Sequence, residues 1–270
     1  MYKKPFAIPF IGWILIGTIV PGLVIAFYGF TDRSGAFTMD NVTSILAPEH
    51  AKALWMSLLL AFISSLICLI ISLPLALILR NSKLSSKGFL VFIFILPMWM
   101  NFLLRTMAWQ VLLERGGLIN SFFENIGMPQ LQIINTPVAV VLGMVYDYLP
   151  FMILPIYNSM IKIENAVIEA AYDLGATKAK VFKDVILPLS VPGIASGITM
   201  VFVPALTTFA ISNMLGGGKI YLIGNIIEQE FTTTSNWNLG SGLSLVMMVF
   251  ILVTMELMSR LDKDGDGALI

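Results

Sequence analysis

The chain has 270 residues, 57% of them hydrophobic and only 12% charged, with a net charge of zero. Soluble domains carry about 25% charged residues, so this composition excludes an ordinary soluble fold and points to the bilayer. Zero net charge offers no footprint for nucleic acid. One histidine (His50) and one cysteine (Cys68) leave no material for an internal disulfide, a His/Cys metal cluster or a Ser/His/Asp or Cys/His nucleophile set.

A crossing takes about 20 mostly apolar residues. Six stretches qualify: Ile8 to Phe30, Ala53 to Leu79, Phe89 to Trp109, Pro137 to Ile161, Val191 to Asn213 and Gly242 to Met258. The first follows Lys3 and Lys4 like a signal peptide. It is too long for an h-region and no Ala-x-Ala-like site follows, so it reads as a retained span. The second holds Cys68, an inert small residue in an apolar run. The third holds Trp99, Arg105 and Trp109, with Glu114 just beyond. The fourth has Asp147 at its middle, and an intramembrane acid is by default a functional hypothesis. Met144, Asp147, Tyr148 and Phe151 follow at i, i+3, i+4 and i+7, one helical face. Two readings of Asp147 stand: it meets a passing cation, or it pairs with Arg105 structurally.

Between the fourth and fifth spans, Lys162 to Ile186 carries eight charges yet keeps helical spacing. Val167, Ala170, Ala171 and Leu174 share a face of a first short helix. Glu164 and Glu169 lie toward its N-terminal end, where the dipole favours acids. Gly175 stands where a C-cap needs a left-handed residue, and Thr177 can cap a second helix. That helix gathers Val181, Phe182, Val185 and Ile186 on one side; Pro188 and Pro192 mark entry to the fifth span, with Ser190 available as its cap. Spacing alone leaves two readings, an amphipathic pair on the lipid surface or a docking element. In the fifth span Pro204 predicts a kink about midway, a gate or a static bend. Gly216, Gly217, Gly218 and Lys219 lack the Walker A spacing and read as a flexible turn. The tail Asp262 to Gly267 imitates the start of an EF-hand loop, but its twelfth position falls beyond Ile270, and it reads as a solvated acidic tail.

Lys and Arg set the orientation. With the N-terminus inside, eleven lie in internal connections and four outside, with Arg105 in or near a span. The expectation is an all-α polytopic protein, one transmembrane domain over residues 1–270, six spans and both termini cytoplasmic.

Glu169-Ala170-Ala171, then Gly175, then Leu187-Pro188 resembles the E-A-A-x3-G-x9-I-x-L-P loop of ABC importer permeases, with Val185 in the isoleucine slot. The stretches RTMAWQVLLERGGLIN, YDYLPFMILPIYNSM and LSVPGIASGITMVFVPALTTFAISNMLGGGKIYLIGNIIEQEF resemble the polyamine branch, most of all B-type permease subunits of spermidine/putrescine importers. Branches importing iron, sulfate, thiamine or phosphonates share the architecture. The resemblance implies the type I importer fold and a coupling role for Glu169, Ala170, Ala171, Asp173, Leu174, Gly175 and Pro188. It implies a homologous C-type permease, an ATPase dimer and an extracytoplasmic polyamine-binding protein as partners. ATP and Mg would sit on the ATPase, leaving this chain without cofactor, metal or catalytic residue and working by alternating access. For a polyamine, Asp147, Tyr148 and Phe151 suit an alkyl-ammonium by charge and cation–π attraction. Trp99, Trp109 and Glu114 extend that lining, or the tryptophans only anchor at the interface. Phe209 and Asn213 face the path's outer end, and Glu228 and Glu230 await the cation outside. A secondary transporter would show paired repeats with broken helices, and none is evident. An intramembrane enzyme would need a catalytic constellation.

Overall fold

The computed structural model describes residues 12–81, 94 and 96–266, with side chains as far as residue 258. The described chain is helical, with no β-strand and one isolated bridge between Thr31 and Phe37. The first apolar helix, Gly12–Gly29, opens with a π turn at Leu15–Ile19 and continues as α1, Val20–Gly29. Pro21 has no N–H for the preceding turn, and the Val20 N–H bonds to the Leu15 carbonyl instead.

Helix α2, Pro48–Asn81, shows what solvent the protein is built for. Trp55, Phe62, Leu66, Ile70 and Ile78 are exposed, while Ser57, Ala61, Ser64, Cys68, Ser72 and Ala76 are buried. Large apolar side chains therefore face outward and small ones inward. That arrangement is costly in water but suits lipid, where close backbone approach rather than apolar burial holds helices together.

The third predicted span does not form one helix in its described part; residues 82–93 and 95 lie outside the description. Leu96–Trp99 is a 3-10 turn, and the Asn101 side chain accepts from the Leu103 N–H at 2.8 Å, starting a new helix, α3, Phe102–Leu113. Its 12 residues reach only about 18 Å at 1.5 Å each. Helix α4, Leu118–Asn125, is held by buried Asn120, which donates to the Leu113 and Glu114 carbonyls and accepts from Leu131 N–H.

Helix α5 is Pro137–Met160; α6 is Asn165–Asp173; α7 is Lys178–Leu189. Helix α8, Val191–Thr207, leaves α7 at an angle of 65°. The fifth span thus departs from the expectation twice. Pro204 lies in the last turn of α8 rather than midway, and the break comes after it, where Thr208 is extended and the chain restarts as α9, Ala210–Leu215. Helix α10 is Ile223–Thr232 and α11 is Trp237–Asp266, so the backbone stays helical through most of the expected solvated tail. Among the described residues four helices are long and apolar enough to cross a membrane, five if α7 and α8 form one bent span.

The contacts group into two units. In the one made of Met1–Leu54 and Ile223–Leu252, Asn238 donates to the Tyr28 and Thr31 carbonyls, and Asn41 donates to those of Gly29 and Thr31. Its connecting turn is organised by Asp32, whose carboxyl is held below the usual range by the Ser34 hydroxyl and the Ala36 N–H. The other unit, Trp55–Leu222 with Val253–Ile270, contains α3 to α9. Its main packing is α5 on α8. A Cβ at Gly193 would lie 2.6 Å from the Pro155 carbonyl oxygen, and one at Gly197 would lie 2.8 Å from the Met152 sulfur. Below them Ala76, Leu79, Ile153, Ile156, Met160 and Val181 form a buried apolar cluster.

Candidate functional site

Two sites stand out in the larger unit. The first is Asp147 on α5. It is 3% exposed and meets the 7% exposed Arg105 of α3 at 3.3 Å, while the Thr106 hydroxyl donates to its Oδ2 at 3.1 Å. Of the two sequence readings, the pairing with Arg105 is the one present. The fit is incomplete: Asp147 Oδ1 and Arg105 Nε and Nη1 are buried without a hydrogen-bond partner among the described residues. The Arg105 guanidinium lies 6.0 Å from the Tyr146 ring centre, and Trp109 meets the same ring edge-on at 5.4 Å. The Tyr148 hydroxyl donates at 3.4 Å to the Pro204 carbonyl in the last turn of α8, which also accepts from the Thr207 hydroxyl.

The expected aromatic lining is thus partly rearranged. Tyr146 and Thr106, which the face i, i+3, i+4, i+7 missed, join Arg105 and Asp147. Phe151, like Tyr148, is half-buried and also packs against the apolar cluster. Met144 is fully buried and its sulfur accepts from the Ser64 hydroxyl. Trp99 stands on the separate 3-10 turn, 74% exposed, and Phe209 is 43% exposed beside the break, with Asn213 on α9. Glu114 caps the end of α3 and is exposed, while Glu228 and Glu230 lie on α10 and accept from the Thr232 and Thr234 hydroxyls. Gly217 and Gly218 hold left-handed backbone, and a Cβ at Gly217 would meet the Asn135 side chain.

The second site is the corner between α5 and α8. Helix α6 ends at Asp173, Gly175 adopts φ +80°, Ala176 N–H bonds to the Ala171 carbonyl at 3.0 Å and Gly175 N–H to that of Tyr172 at 2.8 Å. These are the two bonds of a Schellman ending. The Thr177 hydroxyl then accepts from Lys180 N–H and starts α7. Both expected caps form. Ser190 does not cap α8; its hydroxyl turns back to the Ile186 carbonyl at 2.7 Å. With Pro188 and Pro192 lacking N–H groups, α7 relaxes into a π turn at Phe182–Ile186 before the bend.

The expected apolar face of α6 divides. Ala171 packs with Ile168 against the cluster, while Val167, Ala170 and Leu174 are exposed, Leu174 by 88%. Of the acids, Glu164 occupies the N-cap position and Glu169 lies beyond the first turn, so the dipole favours only Glu164. Glu169, Asp173 and Pro188 are exposed. Sequence reading gave Arg80 no role beyond its charge. Its Nε donates to the Met160 carbonyl at 2.9 Å, and its Nη2 donates to the Ile163 carbonyl at 3.0 Å and to Asn165 Oδ1 at 3.2 Å.

Comparison with known proteins accounts for this combination of spans and corner. Residues 72–264 match the family described as binding-protein-dependent transport system inner membrane component. The chain is 35% identical over 259 residues to the spermidine/putrescine transport system permease protein PotB of Haemophilus influenzae, covering 93% of this chain and 91% of that one. It is 36% identical over 247 residues to PotB of Escherichia coli, covering 88% and 90%. Among solved structures, a bacterial ABC transporter involved in import of the acidic polysaccharide alginate superposes with a TM-score of 0.81 at 18% identity, covering 97% of this chain and 94% of that one. That likeness bears on the fold alone. The chain belongs to the family of inner membrane components of binding-protein-dependent transport systems, as a multi-pass permease of the type I importer architecture.

Proposed function

We propose that the chain is the membrane-spanning permease subunit of an ATP-driven importer of spermidine and putrescine. The observation that carries the cargo is likeness to the two PotB permeases over about nine-tenths of both chains. The alginate importer supports a similar fold with an acidic cargo, so architecture alone does not select a cation. The buried carboxylate of Asp147, with Tyr146, Tyr148 and Trp109 around it, favours one here. Arg105 neutralises that carboxylate at rest. A substrate ammonium passing Asp147 must therefore displace the guanidinium, which then leans on the Tyr146 ring. Exchange of one cation for another avoids a bare carboxylate in the membrane interior. Phe209 and Asn213 lie toward the outer end of the path, and Trp99 extends its lining.

The corner from Asn165 to Ile186 is the coupling element, with both termini and this corner in the cytoplasm. Val167, Ala170 and Leu174 are the apolar stripe offered to an ATPase subunit. The partners are a homologous permease, two ATPase subunits and an external polyamine-binding protein. ATP and Mg are bound by the ATPase, and this chain itself catalyses nothing. ATPase closure draws the two coupling helices together and opens the spans outward; hydrolysis resets them. The test is uptake of labelled spermidine by cells lacking this gene, before and after the chain is restored with its partners. Restored uptake that excess putrescine competes away is expected. An assembled complex in the membrane without spermidine uptake contradicts the polyamine reading.

A further inference from the structure

The corner is joined to the spans in two ways, and they differ in kind. Along the chain, α5 runs into α6 through residues 161–164. Across space, α6 faces the end of α2, where Ile168 and Ala171 pack on the apolar cluster that holds Ala76 and Leu79. Beside that contact a cleft of about 510 Å³ opens, with Leu77, Ile168 and Phe182 on its apolar side and Asn81, Asn165 and Glu169 on its polar side. Arg80, which also lines it, adds hydrogen bonds across the polar side. Arg80, one residue from the end of α2, reaches the Met160 carbonyl at the end of α5, the Ile163 carbonyl inside the turn and the Asn165 side chain at the start of α6.

Each contact has a physical reason. Met160 is the last residue of α5; its carbonyl accepts from the Ile163 N–H of the turn at 3.3 Å and has a second lone pair for Arg80, where a cation is favoured by the helix dipole. Ile163 lies in the turn, beyond the reach of helical bonding. Asn165 is the first residue of α6, whose N-cap makes no side-chain bond of its own. A planar guanidinium holds acceptors in fixed directions, which a lysine ammonium on its flexible stem does not. The fork therefore locks both sides of the α5–α6 turn and fastens them to α2.

We propose that Arg80 is a positioning residue for energy transmission: it makes α2 move with the coupling corner, so that displacement of α6 reaches α2 as well as α5 and α8, which the corner joins along the chain. This rests on the reading of the corner as the coupling element. Nothing in the fork touches substrate or nucleotide. Its loss should break the link between hydrolysis and transport rather than either process by itself.

The test uses the complete transporter in lipid vesicles, with this chain, its permease partner, the ATPase and the binding protein. The quantity measured is labelled spermidine transported per ATP hydrolysed. Arg80→Ala should lower that ratio at least tenfold, and Arg80→Lys at least threefold. Adding Asn165→Asp to Arg80→Lys should recover part of the loss, since a carboxylate attracts the ammonium the fork no longer guides. Gly175→Asp serves as the reference for a broken corner. If Gly175→Asp uncouples and Arg80→Ala stays within twofold of the parent ratio, the tie is wrong while the corner reading survives. If neither uncouples, the corner is not the coupling element and the tie falls with it. Should Arg80→Ala fail to assemble, Arg80→Lys decides: an assembled complex with an undiminished ratio overturns the proposal.

Discussion

Arg105 and Asp147 are almost wholly buried and hold each other at 3.3 Å, whereas all eight charged residues between Lys162 and Ile186 are exposed. The same residue types thus meet opposite physics in one chain. In the apolar interior a lone charge is intolerable, so each member of the pair depends on the other. At the corner, water screens every charge, and shape is set by backbone caps and by the apolar side of α7. A substitution inside the membrane should therefore act through charge balance, and one at the corner through backbone geometry.

The largest expected effect breaks the pair. Arg105→Ala leaves Asp147 buried and unpaired, and Asp147→Ala leaves Arg105 so; each should destabilise the detergent-solubilised complex by about 3–5 kcal/mol. Replacing both together, Arg105→Met with Asp147→Leu, should return most of that stability and abolish spermidine transport. Thermal unfolding and vesicle uptake on the same three preparations check this. A double variant no more stable than the single ones would mean the pair is not isolated from other charges.

At the corner the expected effects are smaller in stability and larger in coupling. Gly175→Ala puts a Cβ on backbone at φ +80°, costing about 1 kcal/mol of local stability. Its signature should be ATP hydrolysis without matching uptake, while the complex still assembles. Thr177→Ala removes the α7 cap and should cost about 1 kcal/mol. It is visible as faster amide exchange at Lys178 to Val181. Transport at full rate in both variants would mean that the corner's shape does not matter to the ATPase.

The smallest effect sharpens the membrane side. Tyr148→Phe removes one hydrogen bond to the Pro204 carbonyl, long at 3.4 Å, and should cost about 0.5–1 kcal/mol. If the end of α8 is a gate, uptake should change more than stability does. Pro204→Ala with normal uptake would remove the gate.

The same contrast explains which features sequence makes legible. Gly175 and Thr177 act on neighbours within a few residues, and a local pattern carries that information. The alternation of large and small residues around α2 was present in the apolar run, but which face met protein was not. Pairings across the chain leave no such trace. Arg80 meets Met160 from 80 residues away, and nothing in either segment names the other. The Arg105–Asp147 pair was legible only as one of two options, since a buried acid needs a cation but periodicity cannot supply its identity. The break in the third apolar stretch is invisible to mean hydropathy, which ignores Pro97 and Asn101, and Asn101 starts a new helix. The break in the fifth comes after Pro204 because a proline near a helix end need not kink it, while Thr208 and Phe209 end it.

One measurement tests most directly the claim that Asp147 holds Arg105 at rest and the substrate's ammonium in transit. In vesicles containing the complete transporter, spermidine transport is compared for the parent and for Asp147→Asn, which keeps shape and removes charge. The account predicts an assembled Asp147→Asn complex that hydrolyses ATP and moves at least tenfold less spermidine. Spermidine transport at the parent rate through Asp147→Asn would contradict it.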